Sequence, residues 1–398
     1  MSDTDDDVRR FEWFPVKGVN PTPVQFVLGL LGVVFLFAVP DLTSISAPGV
    51  PVLETALSNF QLSTTHDGLT WGMAALGLAL LLHKTELVSF GHAAFFGGGA
   101  YGGAMLVEFL GFDEGLLILF GATLFATILA LIIGWLVAEY LDIYFALLTL
   151  AFGQVLFAVA QGTPALGQDE GLFLRQGGEA AGDPPTLGFI LDFSLATQSE
   201  YRIWLYYITA VLLLVSLLVM YRIMNSPFGQ ALDAIGQDRT RARFIGIPVK
   251  RYVWASFTIS GFYGGVAGGL YGLRNFQATP EATLEVFRSG EILFMAILGG
   301  FQTLLGPIIG GVVLTLLLDN ARFITPHDDL LIGLVLIFVV FFMPKGIVGS
   351  APDIKAGAVT RIKNPSVLAQ DVTTISNLVT RKLRDAAETT RILLFGVK

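Results

Sequence analysis

Few residues in this chain of 398 are suited to catalysis. The sequence has no cysteine, which excludes thiolate nucleophiles and cysteine-ligated metal sites, and its four histidines are scattered. A Gly-x-x-x-x-Gly-Lys-Ser/Thr motif is also missing, so the chain lacks a phosphate-cradling loop and any ATP hydrolysis would need a separate subunit. We therefore expect no catalytic residue, bound cofactor or metal site.

Ionisable side chains within apolar segments are the other candidates for chemistry, because a charge in lipid is costly and hints at function. His92 lies deepest, and it either borders a transport pathway or hydrogen-bonds a neighbouring carbonyl group. The others lie near the ends of apolar segments, where the headgroup region tolerates charge. These are Glu108, Glu139, Asp142, Glu291 and Asp319.

The elements that carry these residues are membrane spans. Hydrophobic residues make up 54% of the chain and charged residues only 14%, against about a quarter in soluble domains. The apolar residues gather into runs, and about 20 such residues cross a bilayer. The sequence predicts an all-α polytopic membrane protein with about ten transmembrane helices, nine if the shortest is discounted. The predicted spans are Val24–Val39, Leu69–Leu82, Ser89–Leu110, Gly115–Ala138, Ile143–Ala160, Ile203–Tyr221, Tyr252–Leu273, Ile292–Leu298 (the shortest), Leu304–Leu318 and Leu330–Met343.

Charge placement predicts the orientation of these spans. With ten spans and the N-terminus inside, 19 of the 24 lysines and arginines fall on the cytoplasmic side, as the positive-inside rule requires. We expect a multi-pass protein of the cytoplasmic membrane with both termini in the cytoplasm. The net charge of −8 argues against nucleic acid as a partner.

Three regions follow from this topology. An acidic cytoplasmic tail, 1–23, precedes a transmembrane domain, 24–349, and an amphipathic cytoplasmic tail, 350–398, ends the chain. Within the transmembrane domain, the external loop 161–201 is acidic and rich in glycine and proline. It either docks a partner at the external mouth or is a solvated connector.

The cytoplasmic loop 223–251 is too polar to span the membrane and too regular to be a slack connector. Its spacing predicts an amphipathic helix that starts at Ser226 and a second, shorter helix that ends at Gly246. Ala242 and Ile245 are expected on the apolar side of the second helix. The loop either inserts a short helix into a soluble partner or rests on lipid headgroups.

Five segments, in order, resemble LivM-type permeases of branched-chain amino acid importers. They are Leu87–Tyr101, Asp142–Gln154, Phe257–Tyr271, Leu298–Pro307 and Met343–Ile347. The spacing of Arg241, Ala242 and Gly246 also resembles the loop motif of ABC-importer permeases, in which a short helix docks into the ATPase subunit. Thr240 stands where that motif has an acidic residue.

The resemblance implies a permease subunit that translocates branched-chain amino acids, or similar small polar solutes such as urea and short amides. It implies four kinds of partner: ABC ATPase subunits, a second permease of the LivH type, an extracytoplasmic substrate-binding protein and the lipid bilayer. The alternative is an ion-coupled secondary transporter, for which carboxylates in the middle of long apolar runs would be expected.

The resemblance and the loop pattern together give three groups of candidate residues. The ATPase-coupling group contains Ala231, Leu232, Ile235, Asp238, Arg241, Ala242 and Gly246. The pathway or packing group contains Gly91, His92, Phe95, Phe96, Gly99, Tyr101, Thr149, Phe152, Gly153 and Gln154. The binding protein is expected to dock at Asp169 and Glu170. Glycines four residues apart, such as Gly264 and Gly268, favour close helix packing.

Overall fold

The computed structural model describes residues 62–140, 142–175, 185–186 and 198–324, together with 333–334, 337, 343 and 345–350. The predicted span Val24–Val39 lies outside these residues, as do the tail 1–23 and almost all of Leu330–Met343 and of the tail 350–398. The chain divides into two compact units, Met1–Val348 and Gly349–Lys398.

Eleven α-helices make up most of the described residues, and the all-α class is confirmed. They are α1 (Leu62–Lys84), α2 (His92–Leu110), α3 (Gly115–Val137), α4 (Asp142–Gly162), α5 (Gln198–Met224), α6 (Pro227–Gln237), α7 (Arg239–Phe244), α8 (Val249–Asn275), α9 (Pro280–Thr283), α10 (Val286–Gly299) and α11 (Gly306–Ile324). Each of the eight predicted spans in this part of the chain coincides with one of these helices. The total of about ten spans stays a prediction.

Four helices in the described part are both long and apolar enough to cross a membrane: α2, α3, α4 and the Tyr201–Met224 stretch of α5. Helices α1 and α8 are equally long or longer, but they carry more polar residues and glycines. Both are surrounded by other helices, so their side chains face protein and need not be uniformly apolar. Large apolar side chains instead face outward on α3, α4 and α5, as at Phe120 and Leu218.

Backbone contact between α2 and α8 holds the centre of the bundle together. A Cβ atom at Gly268 would lie 1.8 Å from the carbonyl oxygen of Phe96, and one at Gly99 would lie 2.4 Å from the carbonyl oxygen of Gly265. Only glycine permits this approach. Gly68 and Gly72 of α1 pack against α11 in the same way, since a Cβ atom at Gly72 would lie 2.8 Å from the Cα atom of Ile308.

Helices α2 and α10 differ from the other long helices: α2 starts against the side of α4, and α10 is too short for a full crossing. Helix α2 begins at His92 beside Thr149, partway along α4, where a Cβ atom at Gly91 would lie 2.2 Å from the Thr149 carbonyl oxygen. Helix α10, which contains the shortest predicted span, has 14 residues and so a length of about 21 Å, below the roughly 30 Å of a hydrocarbon core.

The bundle has two ends, which we name by what they carry. At the loop end, α1 terminates at Lys84 beside α6. At the opposite end, α1 begins at Leu62 and α8 terminates at Asn275. There β1 (Leu172–Phe173) pairs antiparallel with β2 (Gln277–Ala278), with Leu172 opposite Ala278. This pair fastens the segment after α4 to the segment after α8.

The contact between α2 and α8 predicts that adding one methyl group at Gly268 destabilises the fold. In Gly268→Ala the methyl group meets a backbone oxygen that cannot move without separating the helices, so we expect the free energy of unfolding to fall by about 3 kcal/mol. Gly290→Ala is the matched control, because a Cβ atom there has nothing within 4 Å and alanine favours a helix by about 0.5–1 kcal/mol. Thermal unfolding in detergent measures both. Equal melting temperatures for the two variants would contradict the close packing.

Candidate functional site

The loop 223–251 folds into two helices whose starts are fixed by side chains. The Ser226 hydroxyl accepts a hydrogen bond from the Gly229 amide at 3.3 Å and begins α6, as predicted. The Asp238 carboxylate accepts hydrogen bonds from the amides of Thr240 and Arg241 at 2.9 and 3.0 Å and begins α7. Asp238, a candidate coupling residue, therefore has a structural role as a helix cap.

Most apolar candidates of the loop point into the chain's own core. Leu232 and Ile235 are fully buried and Ala242 is 1% exposed, while Ala231 is half-buried. The prediction that Ala242 and Ile245 share the apolar side of α7 is wrong, because Ile245 is 74% exposed. Ala242 packs against the bundle, so the end of α7 at Ile245 is exposed to solvent.

The exposed surface of α7 combines apolar and basic side chains. Phe244 is 86% exposed and lies next to Ile245, and Arg241 and Arg243 are exposed beside them. Gly246 follows with φ of +90°, a conformation that side chains rarely adopt, and this agrees with its predicted place after the second helix. An anchored helix thus presents two large apolar side chains on a polar loop.

An ion pair fastens the loop to the end of α1. Lys84 Nζ lies 2.7 Å from Asp233 Oδ2 of α6, and the two side chains are 11% and 39% exposed. A Cβ atom at Gly236 would lie 2.7 Å from the Lys84 carbonyl oxygen, so the backbones of α6 and α1 are in contact. The two charged residues are 149 positions apart, and no local sequence pattern links them.

Arg239 attaches α7 from its first residue. One guanidinium nitrogen, Nη1, is buried and has no hydrogen-bond partner in the structure. Burial lowers the pKa of Arg239, and the carboxylates of Asp142 and Glu86 oppose that shift. The guanidinium thus packs at the loop end with one nitrogen buried, in the electrostatic field of these two carboxylates.

His92, the deepest ionisable candidate, connects α2 to α8. Its Nδ1 atom lies 3.0 Å from the Ser89 hydroxyl oxygen and its Nε2 atom lies 2.6 Å from the Ser260 hydroxyl oxygen. Both ring nitrogens therefore have partners, and the side chain is fully buried. These contacts support the packing interpretation of His92, with hydroxyl groups in place of the expected carbonyl.

The structure brings part of the pathway group together where α2 crosses α4. The Phe90 amide donates to the Thr149 hydroxyl at 3.3 Å, and a Cβ atom at Gly153 would lie 3.6 Å from the Gly91 Cα atom. Tyr101 lies further along α2, by about 13 Å, and its buried hydroxyl has no hydrogen-bond partner in the structure.

The other pathway candidates lie along the same helices. Phe96 stacks on Trp71 with ring centroids 4.1 Å apart, and Phe95 meets Phe257 edge-on at 5.1 Å. Phe152 and Gln154 are half-buried on α4. A role in the transport pathway stays a prediction for this whole group.

The two candidate docking residues lie at the opposite end of the bundle, in the turn after α4. Asp169 accepts a hydrogen bond from the Gln161 side chain at 3.3 Å, and the backbone carbonyl of Glu170 accepts one from the Gln277 side chain at 2.7 Å. Both Asp169 and Glu170 are exposed. The turn is thus fixed by its backbone while the carboxylates face outward.

Comparison with known proteins supplies the context for these sites. The sequence profile of the family described as "Branched-chain amino acid transport system / permease component" matches residues 62–340. The high-affinity branched-chain amino acid transport system permease protein LivM of Escherichia coli (strain K12) is 26% identical over 287 residues, which cover 68% of this chain and 66% of LivM. The chain thus matches just under two thirds of the length of that relative.

Two further relatives extend the comparison. The permease protein LivH of the same E. coli system is 25% identical over 301 residues, which cover 71% of this chain and 92% of LivH. The galactose/methyl galactoside import permease protein MglC of Haemophilus influenzae is 28% identical over 146 residues, 35% of this chain and 44% of MglC. No solved structure matches the chain significantly.

The ion pair between α1 and α6 predicts how firmly the loop is held. Asp233→Asn leaves the nearly buried Lys84 ammonium without its partner, so we expect the loop to open more easily by about 1 kcal/mol, or about fivefold in population. Chymotrypsin cleavage at Phe244 measures that opening. Glu139→Gln is the control, because it removes the partner of Lys250 in a more exposed pair and should leave cleavage unchanged. Equal cleavage rates in the two variants would show that Asp233 does not hold the loop.

Proposed function

This chain belongs to the family of branched-chain amino acid transport permeases, since the family profile matches most of its length, and we propose that it is the membrane-spanning permease subunit of an ABC importer. Its cargo is branched-chain amino acids or similar small polar solutes. The chain catalyses no reaction itself, and ATP hydrolysis takes place in separate ATPase subunits.

The exposed end of α7 is the observation that carries this proposal. Phe244 and Ile245 would be costly to leave in water, and they lie at the end of a helix that packs on the core through Ala242 and the buried nitrogen of Arg239. A groove in a soluble ATPase subunit would cover them, and force applied there would reach the bundle directly. Lipid headgroups are the other possible cover for this surface.

The remaining partners and the orientation complete the proposal. The loop end faces the cytoplasm, because the segment 222–251 holds six lysines and arginines, and both termini are cytoplasmic. The opposite end faces outward and receives a substrate-binding protein near Asp169 and Glu170. A second permease subunit of the LivH type forms the other half of the pathway, and substrate crosses between the two subunits by alternating access.

Two half-buried carboxylates argue against the ion-coupled alternative. Asp67 is already paired with Arg274, and Asp319 accepts a hydrogen bond from Thr64 at 2.6 Å. A coupling carboxylate must bind and release a cation during each cycle. Both of these carboxylates are instead engaged with other side chains.

Changes at the exposed apolar pair test the proposal. We expect the double variant Phe244→Asp, Ile245→Asp to insert and fold normally, because both side chains are exposed, but to lose co-purification with the ATPase subunits. ATP-driven leucine uptake into proteoliposomes should fall by at least tenfold, since each desolvated charge costs several kcal/mol. Thr240→Asp is the control, because it places a carboxylate on an exposed position of the same helix.

The outcomes separate the alternatives. Full ATPase retention and uptake in the double variant would mean that α7 rests on the membrane surface, and the proposed coupling would be wrong. Uptake by the unaltered protein that follows an ion gradient and ignores ATP would establish the secondary transporter instead.

A further inference from the structure

A cavity of about 550 Å³ opens at the opposite end of the bundle, between the ends of α1, α5 and α8. Its volume falls within the range of about 300–1,000 Å³ that is typical of small-molecule sites. Three arginines, Arg175, Arg202 and Arg274, are among its lining residues, together with Ser63 and Asn275. The spacing of the arginines along the chain follows no motif, and only the fold brings them together.

Each arginine is placed differently. Arg274 is mostly buried and is fixed by an ion pair with Asp67 and by a 3.3 Å contact with the Asn275 side chain. The Arg175 guanidinium lies 4.8 Å from the ring centre of Phe276. Arg202 is exposed and forms no ion pair with any residue that the structure describes.

Among the residues that the structure describes, the acidic groups nearest the cavity leave Arg202 without a partner. Asp67 is paired with Arg274, and Asp319 is occupied by the Thr64 hydroxyl. His66 shares a hydrogen bond with Thr209 at 2.7 Å. Arg202 therefore brings an uncompensated positive charge to the cavity in a chain whose net charge is −8. The positive-inside rule places lysine and arginine on the cytoplasmic side. It therefore does not explain why three arginines lie together at the end that we assign to the outside.

We propose that this cavity is the first binding site for the α-carboxylate of the incoming amino acid, with Arg202 as the donor. The inference rests on the proposed function, which makes the opposite end external and an amino acid the cargo. A guanidinium binds a carboxylate through two parallel hydrogen bonds. The concave shape favours a small carboxylate over the acidic side chain of a docked protein.

The absence of cysteine from the sequence makes the cavity directly testable. Ser63→Cys and Asn275→Cys are each introduced into the assembled transporter in proteoliposomes. Two impermeant thiol reagents of similar size are compared, the negative sulfonatoethyl methanethiosulfonate and the positive trimethylammonioethyl methanethiosulfonate. We expect the negative reagent to react about tenfold faster at both positions, because a cleft lined by one sign of charge concentrates the opposite ion.

Two controls isolate the arginines. Ala165→Cys lies in the turn after α4 at the same end and does not line the cavity, so the negative reagent should have no advantage there. Adding Arg202→Gln to Ser63→Cys should remove most of the preference. Equal reaction rates for the two reagents at positions 63 and 275 would overturn the proposal.

Protection by ligands identifies the occupant. Millimolar L-leucine should slow the reaction at position 63, while leucinamide, which lacks the carboxylate, should not, and Arg202→Gln should abolish the protection. Equal protection by both compounds, or protection by the binding protein alone, would contradict a carboxylate site for substrate. ATP-driven uptake by the Ser63→Cys and Asn275→Cys variants is measured in parallel. If these variants take up leucine but L-leucine does not protect their cysteines, the carboxylate site is rejected and the proposed function stands. If uptake by the unaltered transporter does not depend on ATP, the proposed function is rejected.

Discussion

Backbone contact between α2 and α8 is the constraint on which the rest of the bundle depends. Lipid is as apolar as leucine, so membrane helices are held together by close packing and hydrogen bonds rather than by exclusion from water. The approach of Gly268 to the Phe96 carbonyl group and of Gly99 to Gly265 supplies that packing here. Because this contact fixes α8, it also fixes what α8 carries at its two ends.

Helices α1 and α8 both run from the loop to the arginine-lined cavity. Ion pairs mark the two ends of α1, from Lys84 to Asp233 at the loop and from Asp67 to Arg274 at the cavity. Helix α8 begins at Val249, directly after the loop, and carries Arg274 in its last turn. A displacement of the loop would therefore reach the cavity through two continuous helices, which is the physical basis for coupling in the proposed permease.

Local features of the sequence predicted much of this arrangement. Apolar runs located eight of the helices within the described residues, and the start of α6 at Ser226 and the turn at Gly246 follow from capping and backbone conformation. The orientation of α7 could not be predicted this way. Spacing alone put Ala242 and Ile245 on one side of it, but packing of Ala242 and Arg239 against the bundle decides which side is buried. The pairing of Lys84 with Asp233 likewise joins distant segments, and it leaves no periodic signal.

A distance between spin labels tests most directly whether the loop and the bundle move as one body. Labels at Arg243 in α7 and at Tyr140, which lies beyond the loop end of α3, can be attached through single cysteines in this otherwise cysteine-free chain. Pulsed electron paramagnetic resonance on the assembled transporter then compares the nucleotide-free and ATP-bound states. We expect the same distance in both states, because Ala242, Arg239 and the pair of Lys84 with Asp233 fasten the loop. A change of one helical turn, about 5 Å, would show that the loop swings independently and would contradict rigid coupling.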